Sequence, residues 1–424
     1  MSLFFRECRN ILKSYIYYAF IVVVLLFYIS QMGFTTKEDL KEMISPPVKK
    51  DMQSHYAPYG LKKVSPSKDM IPEAVDKLYG EYKDNSYVTY PLGIYKRVKL
   101  NDSEIKRIEP IIEEIAGQSI EELEQIWENN SYDTFPVDEN IRLERFYELM
   151  EKVGEVLGVG LSYKQDVIDR FTRVPITYEE AVQEYEHMVE NNKFKYEFPS
   201  WMNGYARLFC DYIGIVMGIF PIFVAVFMSI KDNRSKMSAL VYSRSASSSK
   251  IVLSRYFSLI FMMILPVIAI GIKETTTFMV FANNQNFNID AFAFIKYIAW
   301  WIIPTIMIVT AVGILLTTLT DTPVAILVGL IMWCFSVASI ELTGDYPLLG
   351  LFIRHNSENE GTLIIENFSE IMLNRVAITG FALLIVIATV FIYEQKRRGK
   401  LDISSKIGKW NRFNKVESKT NHHN

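Results

Sequence analysis

Six apolar runs constrain what this chain can fold into more than any other feature. A helix needs about 20 largely apolar residues to cross the hydrocarbon of a bilayer. Runs meeting or approaching that length occupy 14–33, 208–230, 254–272, 292–316, 323–340 and 376–393. The first reads SYIYYAFIVVVLLFYISQMG, without a charge. Backbone in lipid must satisfy its own hydrogen bonds, and an apolar run of this length does so as a helix. The predicted fold class is therefore membrane all-α, with six transmembrane helices, the last five forming one bundle. The alternative for the first run is a cleaved signal peptide. Its apolar stretch is long for that role, and Gln31-Met32-Gly33-Phe34 lacks a small-x-small cleavage pattern.

Between the first and second runs lies a block of different chemistry. Residues 34–206 carry 22 Lys and Arg against 33 Asp and Glu, net −11, while the remainder of the chain is net +8. The overall −3 averages an acidic polar block with a basic, apolar remainder. The block is long enough to fold as a domain. Cys8, Cys210 and Cys334 lie in or beside apolar runs and none lies in the block, so it is not a disulfide scaffold.

Local patterns make the block mainly helical. Residues 35–70, with Pro46, Pro47, Pro58 and Pro66, read as irregular, and 86–100 as extended. Asn101-Asp102-Ser103 caps a helix on which Ile105, Ile108, Ile112 and Ile115 recur at helical spacing, with a kink expected at Pro110. Ser119 with Glu122, and Thr177 with Glu180, have capping-box spacing. Phe146, Leu149, Met150, Val153 and Leu157 form one apolar stripe, and Tyr178, Val182, Tyr185 and Val189 a second.

Basic residues set the orientation. Arg6, Arg9 and Lys13 precede the first run. Lys231, Arg234, Lys236, Arg244, Lys250 and Arg255 against Asp232 separate the second from the third, and nine Lys and Arg follow the last. With six spans these fall on one side. The 273–291 loop, with Lys273 alone, and the 342–375 loop, with Arg354 and Arg375 against five acids, fall on the other. Both termini are thus expected in the cytoplasm, with 34–206 as an extracytoplasmic domain. Residues 2–13, SLFFRECRNILK, mixing Leu3, Phe4, Phe5, Ile11 and Leu12 with basic residues, read either as an interfacial helix or as a plain basic flank. The predicted organisation is an interfacial helix and first span in 1–33, the domain in 34–206, a five-helix bundle in 207–393 with a cytoplasmic loop at 231–253, and a basic tail in 394–424.

No catalytic motif emerges. The chain contains no G-x-x-x-x-G-K-[ST] phosphate loop, G-x-S-x-G or H-E-x-x-H. His55 and His187 are far apart and lack metal-ligand spacing, while His422 and His423 sit at the terminus. Glu113/Glu114 and Glu121/Glu122/Glu124 diverge around a helix and read as a solvated face. Intramembrane ionisable residues are few, Asp211, Lys296 and Asp321, each near the edge of a span, so an obvious ion relay is lacking. Pro221, Pro266 and Pro304 interrupt spans two, three and four.

The loop after the second run is the most informative segment: KDNRSKMSALVYSRSASSSKIVLSRYF, 231–257. Met237, Leu240 and Val241 suit a short amphipathic helix, and Ser247 or Ser248 suits the cap of the next helix. A basic cytoplasmic helix between two spans is a grip for a motor subunit; its plain alternative is a loop that sets topology. Here the chain resembles the permease subunits of type-2 ABC exporters, in which this loop typically reads Leu-Leu-x-Ser-Arg-Pro-x-Ser-Arg followed by a lysine. Leu240-Val241-Tyr242-Ser243-Arg244 matches the first half, Ser249-Lys250 stands in place of the second Ser-Arg, Arg255 lies near the usual lysine, and Ser245 and Ala246 replace the proline. The end of the last run, Tyr393 through Lys396-Arg397-Arg398 to Asp402-Ile403, also resembles the family. The large block after the first span resembles a subgroup common in Gram-positive bacteria.

The resemblance implies ATP-driven export of a peptide, lipid or amphipathic compound across the plasma membrane. The expected partners are a separate ABC ATPase, which would hold ATP and Mg, a second permease as homodimer or heterodimer, and membrane lipid, with no nucleic acid. This chain would carry no cofactor and no catalytic residue. Tyr242, Ser243, Arg244 and Ser245 are the expected ATPase-coupling residues, and Lys250 and Arg255 the expected anchors to anionic lipid. A surface sensor or secretion-system component, and an ion-coupled transporter, are the competing readings.

Overall fold

The computed structural model describes residues 3–49, 58–89, 96–129, 135–158, 162–234, 246–337, 348, 350–353, 364–365 and 367–401. The chain divides into two compact units. A membrane unit takes Met1–Ile44, Phe194–Val337 and Glu341–Asn424, and an inserted unit takes Ser45–Lys193 with Ala338–Ile340. The inserted unit is narrower than 34–206, because 34–44 and 194–206 belong to the membrane unit.

In the membrane unit, α1 (Leu3–Leu12) is amphipathic, burying Cys8 and Ile11 while exposing Phe5, Arg6, Arg9 and Leu12. It meets α2 (Tyr15–Gln31) at 70°. The bend is local: Ser14 is extended at φ −94° and ψ 128° and begins the second helix. On α2, Tyr17, Phe20, Val24 and Tyr28 recur every three or four residues and make the buried stripe. The Thr36 and Asp39 side chains then close a capping box on α3 (Lys37–Met43), inside a segment whose prolines suggested irregular chain.

The second apolar run is a bent pair. Helices α10 (Phe194–Met217) and α11 (Phe220–Arg234) meet at 42° across Gly218 and Ile219. Pro221 has no N–H for the preceding turn. A Cβ at Gly218 would lie 3.0 Å from the Phe352 ring and 3.1 Å from Trp333, so the break is also where two aromatics meet backbone. The third run exceeds its predicted end at 272: α12 (Ser248–Gln285) continues three turns further, so Lys273 lies within a helix. Along its continuation Phe278, Phe281 and Ala282 keep a buried stripe, and Thr275, Thr276 and Thr277 satisfy their hydroxyls on the carbonyls four residues back. The helix ends where Asn286 turns left-handed at φ +57°.

Helix α13 (Ala293–Thr320) is wound as a π-helix over Ile298–Ile302, immediately before Pro304. Helix α14 (Val324–Val337) is shorter, and α15 (Phe368–Arg397) closes the unit. By length and composition α12, α13 and α15 are each able to cross a membrane, and the count rises to five if the pairs α1–α2 and α10–α11 are each one span. The chain is thus a helical, multi-pass membrane protein. Packing is close where side chains are small: a Cβ on Gly313 of α13 would come within 3.0 Å of the Ala225 Cβ of α11. Along α15, Phe381, Leu384, Ile387 and Phe391 face outward, the pattern of a helix whose surroundings are apolar on every side.

Among the described residues the inserted unit has six α-helices and two short ribbons. Helices α4 (Ile71–Lys83), α5 (Asp102–Ala116) and α7 (Leu143–Leu157) bury Val75, Leu78, Ile108, Ile112, Phe146, Leu149 and Val153 in one core. Around them lie α6 (Ile120–Asn129), α8 (Ser162–Phe171) and α9 (Tyr178–Glu190). The extended 86–100 segment contributes β2 (Tyr87–Thr89) paired antiparallel with β3 (Lys96–Val98). A second ribbon pairs β1 (Leu61–Lys63) with β4 (Arg173–Pro175). The stripe on α9 is a correction: Tyr178, Val182 and Tyr185 are only half-buried, Val189 is exposed, and Met188 is the buried residue.

Candidate functional site

Tyr242, Ser243, Arg244 and Ser245, and the short helix expected around Met237, Leu240 and Val241, lie outside the described residues. The structure does describe the root of that loop. Ser247 is the N-cap of α12 and accepts from the Lys250 N–H at 3.3 Å. The Lys250 side chain is exposed in the first turn, and Arg255 is half-buried farther along the same helix.

The end of α15 grips this root. Arg397 Nη1 donates to the Ala246 carbonyl at 2.8 Å. The Ser248 hydroxyl donates to Glu394, which also holds Arg398 at 2.7 Å. Between them, Lys396 pairs with Asp321, the left-handed residue that ends α13. The residues that made the end of the last apolar run look family-like thus bind the exit of the loop and the end of α13. Sequence reading named the basic cluster but not Glu394 or Ser248 as its partners. A glutamate one turn before two arginines was the available signal.

A second cluster of charge lies among α2, α10 and α12. Glu274 is fully buried, and its Oε1 accepts from Lys273 at 3.0 Å. The Tyr28 phenol lies against Glu274 and Tyr205. Lys273 also donates to the Thr35 carbonyl at 2.9 Å and stands 4.6 Å above the Phe34 ring. On α10, Arg207 and Asp211 are one turn apart on the same face and both buried. Of the three ionisable residues named from sequence, Asp211 is the one without exposure; Lys296 is half-exposed and bridges Asn203 and Asp290, and Asp321 is the helix cap already described. The expectation of few interior charges is therefore corrected. Arg207, Glu274 and Arg375 are buried as well, each having looked like a helix edge or a loop when apolar runs alone were counted.

Arg375 has its own seat. It is 2% exposed. Nη1 donates to the Trp301 carbonyl at 3.1 Å and to Thr305 Oγ1 at 3.2 Å, Nη2 to the Gly350 carbonyl at 3.0 Å, and Nε to Asn374 at 2.7 Å. No carboxylate pairs with it among the described residues. The planar fork of a guanidinium spans several carbonyls at once, and here it joins α13, α15 and the 350–353 segment. Chemically this is a staple.

Among the described residues no group of three or more His, Cys, Asp or Glu is arranged to hold a metal ion. No family model, curated protein or solved structure matches this chain.

Proposed function

We propose that this chain is the membrane-spanning permease subunit of an ATP-driven exporter of the type-2 ABC class, moving a peptide, lipid or amphipathic compound across the plasma membrane. In this reading α1 lies in the cytoplasmic interface. The six crossings are α2, the broken pair α10–α11, α12, α13, α14 and α15, with both termini inside and the inserted unit outside. The observation that carries the reading is the loop root. A Ser-Arg-rich, basic loop between the second and third spans resembles the ATPase-docking segment of that family, and its exit is tied by Arg397 and Glu394 to the end of the last span.

A partner ATPase carrying ATP and Mg would act on this loop through Tyr242, Ser243, Arg244 and Ser245, and Lys250 and Arg255 would meet anionic lipid. A second permease would complete the pathway. Such coupling requires loop contacts that differ between two states of the complex. The test is gentle purification of the tagged full-length chain from its native host, followed by mass spectrometry. A stoichiometric ATPase, lost when 238–250 is scrambled, is the expected result. Recovery without an ATPase across several mild detergents overturns it and favours a surface sensor or secretion component.

An ion-coupled transporter is the second reading, and one observation favours it: buried Arg207, Asp211, Glu274 and Arg375 in the membrane unit. Transport in vesicles that follows an imposed ion gradient without ATP would select it.

A further inference from the structure

We infer that the hairpin made by the outer part of α12, the 286–292 turn and the start of α13 is the anchor to which the membrane unit ties both stretches of chain that join it to the inserted unit. The chain passes into the inserted unit after Ile44 and returns at Phe194. Each stretch is held to this hairpin by a separate set of polar contacts.

The outgoing stretch is held by Lys273. Its ammonium donates to the Thr35 carbonyl at 2.9 Å, sits 4.6 Å over the Phe34 ring, and is balanced by buried Glu274 at 3.0 Å. Phe34 in turn packs edge-on to Tyr28 with centroids 5.3 Å apart, so the ring is fixed from both sides. Asp39, one turn into α3, has its carboxyl held below the usual range first by hydrogen bonds from Thr36 and, more weakly, by Lys273.

The returning stretch is held by the 286–292 turn. The Asn288 N–H donates to the Lys195 carbonyl at 3.0 Å. Asn203 donates to Asp290 at 3.0 Å and accepts from Lys296 at 2.6 Å, while Lys296 also pairs with Asp290 at 3.0 Å. Phe198 packs on Phe287, Phe281 and Phe278 with centroids 5.4 to 5.9 Å apart, fastening the first turns of α10 to the end of α12.

A purely apolar contact would let these segments slide, because packing is non-directional. A lysine shared between a backbone carbonyl, a ring and a buried carboxylate fixes position. So does an Asn–Asp–Lys triad with each group satisfied. Displacement of the hairpin is therefore imposed on both attachments of the inserted unit together. This holds whether or not the chain is an ABC permease, and its test needs no ATPase.

The test is hydrogen–deuterium exchange of the full-length protein in lipid nanodiscs. Lys273→Met is expected to speed exchange over 36–43 by about tenfold or more, and Asp290→Ala to do so over 194–203, while 146–157 keeps its wild-type rate. Lys273→Arg is expected to restore slow exchange. If Lys273→Met does not fold, Phe34→Leu removes only the ring contact and is expected to shift 36–43 in the same direction. Exchange within about twofold of wild type at both stretches overturns the inference.

Discussion

The Nη1 atom of Arg375 lies 3.1 Å from the carbonyl oxygen of Trp301, inside the stretch where α13 is wound as a π-helix. That carbonyl also accepts from the Thr305 hydroxyl at 3.2 Å, and Pro304 lacks the N–H that would bond the carbonyl of Trp300, four residues back. A buried guanidinium is costly unless each donor finds an acceptor; here Trp301, Thr305, Gly350 and Asn374 supply them.

Arg375→Gln is expected to lose most of the charge-assisted hydrogen bonds that join Trp301, Thr305, Gly350 and Asn374. The expected loss is about 3 kcal/mol or more, read as a lowered melting temperature in detergent. Arg375→Lys should recover part of it, since an ammonium cannot span the same carbonyls in a plane. A melting temperature equal to wild type for Arg375→Gln would show that the seat contributes nothing.

Gly313 sets how closely α13 approaches α11. Gly313→Leu adds a side chain where a single Cβ already comes within 3.0 Å of Ala225 and 3.2 Å of Ile222. Overpacking of this kind costs about 1–3 kcal/mol. Thermal unfolding of the detergent-solubilised protein should show it, and Gly380→Leu, where a Cβ meets nothing within 4 Å, is the matched control.

In the inserted unit, the Tyr79 hydroxyl is buried without a hydrogen-bond partner among the described residues. Burial, with Glu124 and Glu128 nearby, pushes the phenol up to about 12. Removing an unpaired buried hydroxyl returns its desolvation cost. Tyr79→Phe should thus match wild type or gain up to about 1 kcal/mol, measured as slower hydrogen exchange in α4 and α7. Faster exchange would mean that the hydroxyl is bonded in solution.

The same unit should weaken in acid. Hydrogen bonding from Arg145 holds the Glu114 carboxyl below its usual value, and Lys62 with the Thr177 N–H does so for Glu180. A depressed carboxylate stabilises the fold above its unfolded value, and that contribution is lost as pH falls through the folded value. Exchange in α5 and α7 should accelerate as pH drops below the ordinary glutamate range. Arg145→Ala should flatten that dependence without much effect at neutral pH, since exposed pairs contribute little there. An unchanged acid profile in Arg145→Ala would remove Glu114 as a source.

Charge reversal at Arg244 tests the loop itself. If the loop couples to an ATPase, Arg244→Glu should cut stimulated ATP hydrolysis by about 5-fold or more with membrane insertion unchanged. Full activity would discard Arg244 as a coupling residue.

Local signals were readable wherever the residues concerned were neighbours in sequence. Asn101 caps its helix as expected and adds a box with Glu104, Thr177 with Glu180 and Ser119 with Glu122 bond reciprocally as the expected capping boxes, and the Phe146-to-Leu157 stripe is buried. Thr36 and Asp39 formed one too, but the surrounding prolines masked it. The end of α12 was misplaced because Lys273 and Glu274 look like the rim of a span. Only their contacts with Thr35, Phe34 and Tyr28, far off in sequence, show why two charges sit there. The root of the loop was half legible: the Ser247 cap follows from local rules, whereas the Ser248–Glu394 bond joins residues 146 positions apart.

The length of α12 has a mechanical consequence. Its 38 residues make a rod of about 57 Å at 1.5 Å per residue, against a hydrocarbon layer about 30 Å thick. One uninterrupted shaft thus runs from the Ser247 cap well beyond the span that its apolar core requires. Torque applied at the Ser248 end is delivered at Lys273 as rotation about the same axis, and a compliant point between them is Pro266, where one backbone rung is missing. The stiffness of that single turn sets how much twist survives the journey.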